Sequence, residues 1–123
     1  MLSKTLRSFV ILTCVVALPL MAKPQSHAYD YATRLAALLA DTQGKATLSA
    51  DAWKKVGNEG NALANKLYAS TSGKNRTAAK EARTHVREMR AAAMKGDADG
   101  AKMHAGMALP YVYQIIEATA PKK

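Results

Sequence analysis

Between Ser26 and Glu117 the apolar residues recur every three or four positions and never alternate over a sustained run. A chain patterned in this way has only helices from which to build a core. Four segments carry the period. In the first, at 26–42, Ala28, Tyr31, Ala32, Leu35, Leu38 and Leu39 fall on one side when each residue is turned by about 100°. The second spans 50–70. Ser49 is placed to cap it and Leu48 to pack on Trp53 as a hydrophobic staple. Its inner face is Trp53, Val56, Gly57, Gly60, Leu63, Ala64 and Leu67. Two glycines inside a helix cost about 1 kcal/mol each in propensity, so they are expected to admit a close neighbour, either another helix or a ligand.

A third helix is expected over 75–95, ended by Gly96 in the left-handed conformation that glycine tolerates. A fourth follows over 98–118, with Asp97 as its cap and Asp99 in its first turn. Pro110 interrupts it on the outer face and is expected to bend it without breaking the buried stripe. Ala78, Ala82, Val86, Met89 and Ala93 make a thin inner face on the third helix, so either the helices pack tightly there or something else fills the space. Short turns between four amphipathic helices predict an all-α, antiparallel up-down-up-down four-helix bundle, with 23–123 as a single domain.

The first 22 residues read differently. Lys4 and Arg7 precede an apolar run from Phe9 to Met21 and a small residue, Ala22, which is the layout of a cleaved secretory signal peptide. The run is shorter than the roughly 20 residues that span a bilayer. Export to a periplasm is therefore expected, with no transmembrane helix in the mature chain. The only cysteine, Cys14, would leave with the leader, which excludes disulfides, thiolate metal sites and cysteine nucleophiles from the mature protein. Removing Lys4 and Arg7 leaves 16 of the 18 basic residues against 9 acidic ones, a net charge of +7. Such a balance suits an anionic surface or partner.

No nucleophile elbow, zinc-protease motif, phosphate loop or EF-hand loop is present, and the acidic residues stand mostly at helix caps or on outer faces. A non-enzymatic binding protein is expected. The chemistry that remains lies in HVREMRAAAMKGDADGAKMHA, from His85 to Ala105. His85 and Met89 are four apart, and His104 and Met107 three apart, so each pair shares a helix face. Imidazole and thioether suit copper, and imidazole also suits nickel and zinc. His104 falls inside an apolar arc and His85 at the edge of one, so both also fit as ordinary structural histidines. Counted from Asp97, His85 is twelve residues back and His104 seven on, an axial offset of about 7.5 Å. The two imidazoles then lean apart. One ion held by both needs an irregular hairpin or a second chain, as in a homodimer. Met89 and Met107 are expected nearly level, as core partners or a soft Cu(I) pair.

This stretch, H-V-x-x-M followed by M-K-G-D-A-D-G-A-K-M-H-A, is similar to the helix 3–turn–helix 4 region of the small metal-binding proteins of Gram-negative periplasms. The likeness covers about a fifth of the chain. The positions that match are His85, Gly96, Ala101, His104 and Ala105. The resemblance implies an exported four-helix bundle that binds Cu, Ni or Zn through surface histidines. That family carries histidines along all its helices, whereas only His27, His85 and His104 occur here. The chain also resembles the b-type four-helix-bundle cytochromes in size and architecture. Their ligands, a methionine on the first helix and a histidine late in the last, have no counterpart here, so haem is not expected.

Finally, Arg76, Lys80, Arg83, Arg87 and Arg90 follow one another at spacings of four, three, four and three, which makes a basic stripe on one flank of the third helix. Its guanidinium forks fit phosphates or carboxylates. The stripe offers the alternative to a metal role: a structural or interaction module for an anionic surface or protein. It has no interleaved aromatics for single-stranded nucleic acid, and no specific nucleic acid is expected as partner.

Overall fold

The computed structural model describes residues 17–121, with side chains from His27 onward. Four helices account for nearly all of it: α1 (Ala17–Gln43), α2 (Ala50–Ala69), α3 (Gly73–Met94) and α4 (Ala98–Thr119). The first begins further upstream than the periodicity suggested. The leader expected over 1–22, with Cys14, falls for most of its length outside the described residues. Among the described residues no helix is long and apolar enough to cross a membrane.

Each helix packs on its two neighbours in the ring α1–α2–α3–α4, and α3 with α4 makes the most extensive contact. This is the four-helix bundle expected from the pattern. The caps explain where the helices stop. The Ser49 hydroxyl accepts the Ala52 amide at 3.1 Å, and Leu48 is half-buried beside the buried Trp53. At the α3–α4 turn the Asp97 amide reaches the Ala92 carbonyl at 2.9 Å and the Gly96 amide the Ala93 carbonyl at 3.1 Å. With Gly96 at φ +79° this is a Schellman motif. The Asp97 carboxylate then accepts the Gly100 amide at 2.9 Å and opens α4.

Alanine sets how closely α3 meets its neighbours. Ala78, Ala79, Ala82 and Ala93 on α3, and Ala101, Ala105 and Ala108 on α4, are all at most 3% exposed. The thin inner face of α3 is therefore resolved by close packing. On α2 the two glycines serve that packing. A β-carbon on Gly57 would stand 3.1 Å from Cα of Arg90, and one on Gly60 would stand 3.2 Å from Cε of Met89. The close neighbour admitted by these glycines is α3 itself. Pro110 lies within α4 on its exposed side, while Ala108, Val112 and Ile115 stay fully buried.

Candidate metal centre

The hairpin turn sets the register of the chemistry-bearing residues. α3 ends at Met94 and α4 starts at Ala98, so the turn is centred on Gly96, one residue before the position assumed from the sequence. His85 is then eleven residues before the centre and His104 eight after it. The offset shrinks to three residues, about 4.5 Å. The alanine-lined seam closes the rest. The two imidazoles lie 5.9 Å apart between ring centroids at 25° to each other, and His85 is also near-parallel to Tyr111 at 6.1 Å. The sequence-based expectation that the rings lean apart is thus corrected, and neither an irregular hairpin nor a second chain is needed to bring them together.

Glu88 completes the group. It lies eight residues before Gly96, level with His104, and three after His85 on the same face of α3. One of its carboxylate oxygens, Oε1, lies 3.2 Å from His104 Nδ1 and 3.7 Å from His85 Nδ1. One donor atom from each of the three residues falls within 4.8 Å of the others. The histidine side chains are 17% and 21% exposed and Glu88 52%, so the carboxylate closes the solvent side of a half-buried pair.

The electrostatics of this cluster are unsettled by its own geometry. Both Nδ1 atoms are buried, and neither has a hydrogen-bond partner in the protein. The 3.2 Å approach to Glu88 attracts a protonated imidazole, yet it is not aligned as a hydrogen bond. A buried polar atom left unsatisfied costs about 1–3 kcal/mol. The cluster therefore brings two buried imidazole nitrogens and a carboxylate within ion-pair distance of one another without an aligned hydrogen bond between them.

The other residues singled out from the sequence go elsewhere. Met89 is fully buried, with its methyl against the Gly60 position of α2. Met107 is 44% exposed, on the edge of α4 between His104 and Tyr111. The soft pair expected of Met89 and Met107 is thereby split between core and solvent, because Met89 points inward with Val86 while Met107 points outward. His27 is exposed on α1 and belongs to no donor cluster found among the described residues.

The basic stripe of α3 lies on the opposite flank, along the seam with α2. Arg76 and Arg83 stand over the Tyr68 ring at 4.6 and 3.8 Å. Arg87 donates to the Asn65 side chain at 3.4 Å and Arg90 to that of Asn58 at 3.0 Å. Lys80 is exposed.

Glu88 is the member of the candidate group that the sequence pattern does not single out. Its signal was its i+3 spacing from His85, obscured because the residue also reads as an ordinary exposed acid. No protein-family model, curated protein or solved structure matches this chain.

Proposed function

We propose that this chain is an exported, non-enzymatic protein that binds one Cu, Ni or Zn ion at the α3–α4 seam through His85, His104 and Glu88. One observation carries the reading: two buried imidazole nitrogens without hydrogen-bond partners converge on a single carboxylate. Metal–nitrogen and metal–oxygen bonds are about 2.0–2.2 Å, so neighbouring donors of one ion lie about 3 Å apart and opposite donors about 4 Å apart. Separations of 3.2 and 3.7 Å, with all three donors inside 4.8 Å, come within small side-chain rotations of that pattern. Imidazole with a carboxylate favours borderline divalent ions over the harder Ca and Mg. Binding would also satisfy both orphan nitrogens. Met107, on the same edge of α4 as His104, is available as an outer ligand; Met89 is not placed for that role.

Isothermal titration of the metal-stripped protein with Cu(II), Ni(II) and Zn(II) tests the reading. One ion per chain is expected for the wild type, with binding lost in His85→Ala/His104→Ala and weakened in Glu88→Gln. An absence of binding, or equal binding by the double variant, would make the cluster a purely structural feature of the hairpin.

A further inference from the structure

The α2–α3 seam holds cations that are fixed in place without being neutralised. Among the described residues the ion pairs are Arg34 with Asp30, Lys45 with Asp41, and Glu88 with the two histidines. None reaches an arginine of α3. The partners of those arginines are uncharged: the ring of Tyr68 and the amide oxygens of Asn65 and Asn58. An aromatic face or an amide oxygen orients a guanidinium and leaves its charge intact. Arg76, Lys80, Arg83, Arg87 and Arg90 thus form a single file of five positive charges, about 21 Å long at 1.5 Å per residue.

Three features narrow the ligand. Guanidinium forks match phosphate oxygens in paired fashion. The seam offers little apolar anchoring, for of the large exposed hydrophobic residues Met94, Met103, Met107 and Tyr113 only Met94 adjoins it, beside Arg87 and Arg90. Protein partners and bilayer surfaces both draw on apolar or aromatic anchors. The seam's aromatic ring, Tyr68, is covered by two guanidinium groups and is not free to stack a nucleobase. We infer that the α2–α3 seam binds a linear, base-free phosphate chain laid along α3 and recognised by charge. The inference is independent of the metal reading, since it uses the other flank of the helix.

The test is binding of fluorescently labelled linear polyphosphate across a salt series, beside inorganic phosphate, a charge-matched single-stranded oligonucleotide and vesicles containing anionic lipid. On a single-stranded polyanion each contact contributes about 0.7 to the slope of log K against log salt, so five cations give a slope of about −3.5. Arg76→Gln/Arg87→Gln/Arg90→Gln should reduce the slope to about −1.4 and the affinity at least tenfold, with helix content unchanged by circular dichroism. Lys45→Gln/Lys55→Gln/Lys102→Gln lowers the net charge equally away from the seam and should retain most of the binding. The inference is overturned if the two triple variants lose binding alike, if inorganic phosphate binds as well as the polymer, or if the oligonucleotide or the vesicles bind more tightly than polyphosphate. Should the seam variant lose helix content, Arg87→Lys/Arg90→Lys takes its place. Retained charge without the forks should then weaken polyphosphate several-fold, and an unchanged affinity would overturn the forked contact.

Discussion

Gly57 and Gly60 lie one helical turn apart on the same face of α2, yet alanine should have opposite effects at the two positions. Replacing a helical glycine by alanine gains about 1 kcal/mol from propensity alone. At Gly57 the new methyl would stand 3.1 Å from Cα of Arg90 and 3.2–3.3 Å from that residue's Cγ and Cβ, so the backbone of α3 has to retreat. Overpacking of that kind costs about 1–3 kcal/mol, for a net loss of about 1 kcal/mol. At Gly60 the nearest atom, at 3.2 Å, is the terminal methyl of Met89, and the next is Val86 Cγ1 at 3.4 Å. A methionine end can swing aside, so most of the propensity gain should survive, for a net gain of about 0.5 kcal/mol. A shift of 1 kcal/mol moves the midpoint of a domain this size by about 4–8 °C. Thermal unfolding followed by circular dichroism should therefore place Gly57→Ala several degrees below the wild type and Gly60→Ala at or above it. Equal stabilisation of both variants would refute the claim that Gly57 packs directly against the backbone of α3. The same substitution should disturb the Arg90–Asn58 hydrogen bond, which ties packing in the core to the geometry of the basic seam.

In the metal-free protein at pH 8, His104→Leu should raise stability by about 1 kcal/mol in denaturant unfolding, because it removes a buried nitrogen that has no hydrogen-bond partner. A loss of similar size would mean that the Glu88 contact already satisfies that imidazole. Asp97→Ala removes the cap on Gly100 and should cost about 1 kcal/mol without altering metal stoichiometry. Metal affinity should fall on acidification, since only deprotonated imidazole ligates and the bound state carries fewer protons than the free one. Where both imidazoles are protonated in the free protein, the fall should approach about a hundredfold per pH unit, and a pH-independent affinity would exclude histidine ligation.

The architecture was legible because helical periodicity, caps and turn glycines all agree. Ser49, Gly96 and Asp97 act at the termini where their chemistry put them, and the inner faces of α2 and α3 are those the spacing indicated. The candidate site was only half legible. Residue types at i, i+3 and i+4 identify a shared face, but which residues meet across a hairpin depends on where the turn is centred. Moving that centre by one residue changed the histidine offset from five residues to three. Glu88 joins the candidate group by standing level with His104 on the next helix, a relation no single-helix pattern contains. The flank of the basic stripe was equally hidden, since its orienting partners Tyr68, Asn65 and Asn58 come from α2.

Pulsed electron paramagnetic resonance of the Cu(II)-loaded protein tests the central claim most directly, because it counts the imidazoles bound to each ion. The geometry predicts two equatorial imidazoles in a monomeric chain, falling to one in either His85→Ala or His104→Ala. A spectrum with one imidazole or none in the wild type, or one that neither variant changes, would contradict a metal centre at the α3–α4 seam.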